Sequence, residues 1–570
     1  MPYRRYAPAW LLAAALLLLV AIAPSKGIPR GSAAEFAPFN PGSTSAGPLG
    51  TGGVGGAPGA PGTVGPGGTQ AGGSAGGSGP TAGGSTGGSG TRGTGGGGST
   101  GSVGGPGGAA GDTAHCVGGK QFALAGFNAT PPCQPAFAGG SNGGATYKGV
   151  TADTVEVVYY QVKPNPAVQA AFGSAGVIPT DAQLADYLKA VTVFINKRYE
   201  LWGRKIRIDV YQSPSCQGSP PSDDCFRQDA RAVIAKHSPF IVLFPQNGTT
   251  PGFQDELSKA GVINFGGLGL PSDFNTSRRP FRYDYTMDGD TQVAFAAEQY
   301  CKRLANNKAV FAGDATLRGT VRKAEILVPD SEQTVATAQR LQAKINACDK
   351  NGAVIKSYSQ DTSQAASQST TLASQAKQSG ITTFLWLTDP VTPIFLTPQM
   401  TSQNYFPENV ILGANYLDFD PLAQLYDGRQ WANAFGLGNL AESQALKTKD
   451  GYAAYRDGGG TADLYVSADG AQSYLSIVAA GLQQAGARLD PGTFERGMLT
   501  LPAYGGDRSH TLVKFGAGDY TGQSDVRTTY WDANATSPEN GKRGAYKPLD
   551  GGRRFGLGAL PSTRYALPGR

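Results

Sequence analysis

From Thr154 onward, short runs of β-branched and aromatic residues alternate with amphipathic helical stretches, and this rhythm constrains the chain more than any other feature. Thr154–Tyr160, Lys205–Tyr211, Phe240–Phe244, Val262–Phe265, Ala324–Val328, Ala353–Tyr358, Thr383–Leu387 and Val410–Leu412 read as strands. Between the first two, Leu184, Tyr187, Leu188, Val191 and Ile195 recur at three- and four-residue steps behind Asp181, which predicts a helix. Further helices are expected over Asp224–Lys236, Thr291–Leu304, Thr334–Ala347, Ser367–Gln378 and Ala471–Ala485, and a loop around Pro164, Asn165 and Pro166. Such alternation implies parallel sheets covered by helices on both faces. There are too many units for one sheet, so the expected fold is α/β, with two doubly wound parallel-sheet lobes joined by crossing hinge segments. Sheets of this kind take ligands beyond the carboxyl ends of their strands.

The flanks differ in kind. Residues 1–26 read as a signal peptide or N-terminal anchor, with Arg4 and Arg5 ahead of an apolar run from Ala7 to Ala23. Ala21 and Ala23 resemble a cleavage motif, Pro24 after them suits a peptidase poorly, and roughly 17 apolar residues fall slightly short of a bilayer core. Residues 40–112 read as a Gly/Ser/Pro-rich disordered linker: 33 of the 83 glycines lie between Gly42 and Gly111, too little apolar surface to offset chain entropy. A retained anchor would make this linker a membrane tether. The expected division then runs through a disulfide-containing lead-in (113–149), the first part of lobe one (150–286), lobe two (287–439), a return to lobe one (440–500), closing segments (501–532) and an irregular tail (533–570).

Six cysteines in an exported chain favour disulfides over metal or redox chemistry. Cys116 with Cys133 and Cys216 with Cys225 each close a short loop, leaving Cys301 for Cys348, a bond that needs two helices side by side. A net charge of +6 without a dense Lys/Arg cluster argues against a nucleic-acid partner. His115, His237 and His510 lack metal-ligand spacing. The G-x-S-x-G match at Gly139, Ser141 and Gly143 precedes the first strand, where no nucleophile elbow can form. No phosphate loop occurs, and Gly436 with Gly438 is a weak dinucleotide signal. Neither an enzyme, a metal nor a cofactor is expected, and a hydrolase has the least support.

One segment carries more information. A buried strand ends in Asn247, Gly248, Thr249 and Thr250, and Pro251 opens a helix; glycine admits a ligand to the backbone, and threonine hydroxyls and free amides face it. The next strand delivers Leu268 and Gly269 to the same edge. With the opening strand, AGVINFGG, the crossing segment Pro280–Gln292, AEILVPDSE and the late helix AQSYLSIVAAGLQQAG, the chain from about Tyr147 to Trp531 resembles the periplasmic binding proteins of the leucine/isoleucine/valine-binding type, solute receptors of ABC importers. The resemblance implies two lobes closing over a small-molecule solute, transport by a separate ABC permease in the membrane, and an extracytoplasmic or cell-surface location. It implies ligand contacts from Tyr160, Gln161, Asn247, Gly248, Thr249, Thr250, Leu268 and Gly269 on lobe one, and from Asp330, Glu332, Thr388, Asp389, Asn415 and Tyr416 on lobe two. Leu270 stands where amino-acid binders carry a threonine, and Asp330, Ser331 and Glu332 replace a tyrosine-glycine turn. An acidic second lobe favours a ligand carrying an amine, an amide or several hydroxyls, so the expected solute is a small polar metabolite: an amino acid, amide or similar. The alternative is a tethered sensor or scaffold with a degenerate cleft.

Overall fold

The computed structural model describes residues 112–163, 165–214, 216, 222–244, 251–267 and 269–569. The signal or anchor at 1–26 and all of the linker but Asp112 lie outside the described residues. Thr154–Gln161 (β1), Lys205–Gln212 (β2), Ile241–Phe244 (β3), Ile263–Gly266 (β4) and Arg282–Tyr283 (β5) form one parallel sheet in the order β2-β1-β3-β4-β5. β3 and β4 are buried at every position, as central strands of a covered parallel sheet are. At the edge, β2 keeps an outward polar side, with Lys205 and Arg207 exposed and Ile206 and Tyr211 buried.

A second sheet holds Ala324–Pro329 (β6), Ala353–Tyr358 (β7), Thr383–Trp386 (β8), Glu408–Leu412 (β9), Ala434–Gly438 (β10), Asp525–Thr536 (β11), Arg543–Pro548 (β12) and Arg554–Gly556 (β13). Its order is β12-β11-β10-β9-β8-β6-β7, with β13 also on β11. β6 to β10 are parallel, whereas β11 runs antiparallel to β10, β12 and β13.

The helix Asp181–Arg198 starts at a Thr180/Gln183 capping box and buries the predicted stripe of Leu184, Tyr187, Leu188, Val191 and Ile195. That stripe shares a core with the late helices Asp450–Asp457, Ala468–Ala485 and Pro491–Leu499, so the chain comes back to the core of the first sheet after β10. Phe122 and Phe127 of the lead-in join the same core. The chain crosses between lobes near residues 284–288, 439–449 and 521–524. The first and third crossings run side by side: Asp284 donates its amide to Tyr520, and Gln523 donates its amide to Tyr285.

Disulfides join Cys116 to Cys133, Cys216 to Cys225 and Cys301 to Cys348. The last ties the helix Gly289–Arg303 to the helix Glu332–Cys348, which pack through Tyr300, Leu341 and Ile345.

Two sequence expectations are corrected, and one weak signal is explained. The Pro164–Pro166 loop is followed at once by a helix, Pro166–Ser174, capped by Asn165, whose side chain accepts from the Val168 amide. Proline at the first helical position needs no amide partner, so it opens the helix. Gly436 and Gly438 belong to β10; a Cβ at Gly436 would lie 2.2 Å from the Ile411 carbonyl oxygen, so glycine marks close strand packing, not a nucleotide loop. The tail, expected to be irregular, supplies β12 and β13 and buries Tyr546, Phe555, Leu560, Tyr565 and Leu567.

Candidate functional site

A cavity of about 550 Å³ lies between the two sheets. Its walls come from the carboxyl ends of β1 (Gln161), β7 (Ser359–Thr362), β8 (Asp389–Thr392), β9 (Tyr416) and β10 (Asn439–Gln444), and from the crossing residues Tyr285, Thr286 and Gln523. The parallel strands of both sheets thus present their carboxyl ends to one volume, the place where open α/β sheets bind ligands. One side is apolar, with Phe172 and Ile178 from lobe one and Leu372, Phe395 and Phe419 from lobe two. Across the mouth, Asn165 donates its side-chain amide to the Thr362 hydroxyl.

Of the expected contacts, Gln161, Asp389 and Tyr416 line this cavity. Tyr160 points to the opposite face of its sheet, as the period of two requires; it packs on Phe244 and Phe253 and donates to Asp229 at 2.7 Å. Asp330 and Glu332 are exposed and outside the cavity, Glu332 beginning a helix capped by Ser331. Thr388 is fully buried, and its carbonyl accepts from the Asn415 side chain at 2.9 Å. Gly269 does not reach the cavity either: its carbonyl lies against Gly289, where the first helix of lobe two begins. Asn247, Gly248, Thr249, Thr250 and Leu268 lie outside the described residues.

Asp389 plays a different part from the one expected. Its carboxylate accepts from the Val391 amide at 2.8 Å, the Thr392 amide at 2.9 Å, the Thr392 hydroxyl at 3.0 Å and the Tyr358 hydroxyl. It holds the amides at the start of the helix Thr392–Ser402 and has little left for a solute. Tyr416 follows Asn415 with both residues left-handed, φ 59° and 55°. Side chains rarely adopt that conformation, and here it turns Tyr416 into the cavity while the Asn415 side chain holds the turn.

The polar side of the cavity is acidic. Asp418, almost fully buried, meets Arg527 at 3.1 Å, and burial pushes its carboxyl up. Lys449 meets Glu539 at 2.7 Å, and burial raises that carboxyl too. Asp450 accepts from the Asn128 amide at 2.9 Å and side chain at 3.1 Å and from the Ala129 amide at 3.2 Å. Burial, then the neighbouring Asp469 charge, raises its carboxyl.

No family model matches the chain, and no curated relative matches it. Among solved structures, a solute-binding protein of an ABC transporter from R. palustris in complex with 4-hydroxybenzoate superposes with a TM-score of 0.50 at 13% identity, covering 71% of this chain and 98% of that one. Its counterpart from Rhodopseudomonas palustris HaA2 with p-hydroxybenzoic acid gives 0.51 at 13%, covering 72% and 98%. A fatty acid ABC transporter substrate-binding protein from Thermomonospora curvata gives 0.50 at 11%, covering 73% and 97%. The chain has the type I periplasmic binding-protein fold.

Within that fold, sequence reasoning missed the polar wall supplied by the returning chain. Asp469, Gln472, Ser473 and Ser476 follow one another at helical spacing and all line the cavity. The signal was present: this helix is apolar and buried along Leu475, Val478 and Leu482, so its polar stripe needed a destination. Asp418 and Asn439 were also missed. Each follows a strand of the second sheet, and β10 had not been recognised as one.

Proposed function

We propose that the chain is an exported, extracytoplasmic solute-binding protein that captures a small molecule between its two lobes and presents it to an ABC permease. It performs no chemistry of its own. The observation that carries this reading is the cavity walled by strand ends of both sheets and by the crossings, since a solute there touches both lobes and biases their closure. Its volume falls within the usual range for small-molecule sites, ~300–1,000 Å³.

The expected solute, an amino acid, amide or similar metabolite, narrows to an amphipathic one. The wall is more apolar than polar and its polar groups lie together, so the ligand combines an apolar body with a polar end. An open cavity of this size also speaks against the degenerate cleft of a pure scaffold. N-terminal sequencing of the exported protein distinguishes a cleaved signal from a retained tether.

Thermal denaturation of the full chain against amino acids, amides, amines, aromatic acids and fatty acids tests the reading. A bound solute at about 100 times its dissociation constant adds about 2.7 kcal/mol. A panel that leaves the transition unmoved throughout would overturn the receptor assignment.

A further inference from the structure

The disulfide-containing lead-in does more than pack on the core. Phe122 and Phe127 anchor it in the first lobe, and the residues after Phe127 carry it to the rim of the cavity, where Ala129 forms part of the wall. Three of its N–H groups converge there on one carboxylate. Asp450 Oδ1 accepts from the Asn128 amide at 2.9 Å and from its side chain at 3.1 Å, and Oδ2 accepts from the Ala129 amide at 3.2 Å. Asp450 opens the helix Asp450–Asp457, yet the Gly451 amide of that helix goes to Asp469, at 2.8 Å. Among the described residues, the hydrogen bonds that the Asp450 carboxylate receives all come from the lead-in.

The same side chain orders a histidine. Asn128 Nδ2 stands 2.8 Å from His510 Nε2, and His510 Nδ1 stands 3.0 and 3.2 Å from the two Asp507 carboxylate oxygens. A side-chain amide nitrogen only donates, so its two hydrogens serve Asp450 and His510, and the proton of the ring lies on Nδ1, donated to Asp507. Asp450 and His510 both line the cavity and keep 15% and 24% of their side-chain surface accessible, so a solute can reach them. Burial and then the Asp469 charge push the Asp450 carboxyl up, and the Asn128 donors pull it back. Tyr199, Tyr285 and Tyr504 also feel the Asp450 charge, while Lys449 and Arg508 are held by Glu539 and Glu442.

We propose that the lead-in completes the solute site and that Asn128 is its positioning residue, fixing the Asp450 carboxylate and holding His510 with its proton on Nδ1, so that a solute meets one arrangement of charge at this end of the cavity. This rests on the receptor reading above and adds to the site a segment that neither sheet supplies. Asn128 itself is exposed, so its replacement leaves the core untouched.

Nitrogen NMR of the histidine side chains in the full chain tests the positioning; there are three histidines, and His510→Gln assigns the signal. At pH 8 the proton should lie on Nδ1 in the parent and on Nε2 in Asn128→Asp, which offers the ring an acceptor in place of a donor. Calorimetry of the full chain with leucine, leucinamide, phenethylamine, 4-hydroxybenzoate and octanoate, from pH 5 to 8, tests the site. A compound that binds the parent should bind Asn128→Ala about tenfold more weakly at pH 8, the scale of one hydrogen bond to a charged group. The midpoint of its affinity profile should move to higher pH, because Asp450 with fewer donors takes up its proton sooner as pH falls, and Asp450→Asn should abolish that step. A proton on Nε2 in the parent, one that stays on Nδ1 in Asn128→Asp, or parental affinity and profile in Asn128→Ala overturns the proposal and leaves the receptor reading standing. A loss of affinity equal at every pH gives Asn128 a merely structural role and also overturns it. A parent that binds none of the five compounds removes the receptor reading and the proposal together.

Discussion

Asn165 of the first lobe donates its side-chain amide to the Thr362 hydroxyl of the second, across the mouth of the cavity. The same asparagine caps the helix Pro166–Ser174 by accepting from the Val168 amide at 3.0 Å. One residue therefore links the local start of a helix to contact between the lobes. Thr362→Val removes the lobe-two partner and leaves the cap intact. We expect unchanged thermal stability, a larger radius of gyration by solution scattering without solute, and faster solute dissociation by a few-fold. An unchanged radius and dissociation rate would show that this contact does not hold the lobes together.

At the first crossing, Arg282 is completely buried and meets Asp284 at 3.1 Å, while Tyr474 of the returning helix donates to Asp284 at 2.9 Å. Losing one partner of a buried ion pair costs about 3–5 kcal/mol, and losing one hydrogen bond to a buried charge about 1–3 kcal/mol. Arg282→Met should therefore destabilise the chain more than Tyr474→Phe in urea unfolding. The reverse order would mean that the tyrosine, not the arginine, neutralises the crossing.

Glu325, in β6, is buried, and burial pushes its carboxyl from 4.5 up to about 7. The folded state then holds a proton that the unfolded state has released between these values, so this group's contribution to stability falls as pH rises from about 4.5 to 7. Above that window the loss is complete, on the order of 3 kcal/mol. Glu325→Gln removes the ionisation. The variant should be more stable than the parent at pH 8 and should lose that advantage near pH 4; an advantage of equal size at both would exclude ionisation as the cause.

The tail belongs to the second lobe. Tyr565 lies under Arg303 at 3.7 Å and edge-on to Phe435 at 5.0 Å. Tyr565→Ala should cost about 3 kcal/mol, as large-to-small changes at buried aromatic sites do. A loss below about 0.5 kcal/mol, the range of exposed surface changes, would place the tail outside the cooperative core.

The sequence made the two-lobe body legible because buried parallel strands are written as short apolar runs. Val242, Leu243 and Phe384 stand in such runs and are fully buried. β10 escaped because the glycine needed for close packing at Gly436 also breaks a strand's apolar pattern. A smaller part of the cavity was legible: strand-end positions led to Gln161, Asp389 and Tyr416. Asp330 and Glu332 follow a strand end too, yet they face solvent, which strand order alone does not reveal. The residues of the returning helix left a polar stripe in the sequence whose destination the strand pattern did not supply. Asp469 and Gln472 look like an ordinary solvent face until the helix is known to come back beneath the cleft.

The central claim is that a solute lies between the sheets and touches both lobes. A crystal structure of the full chain grown with the ligand that stabilises it most decides this directly. The account predicts one bound molecule bridging Gln161 or Gln472 on the first lobe and Tyr416 or Asp418 on the second. A molecule held by one lobe alone, or a cleft filled by the chain's own side chains with the ligand elsewhere, would contradict it.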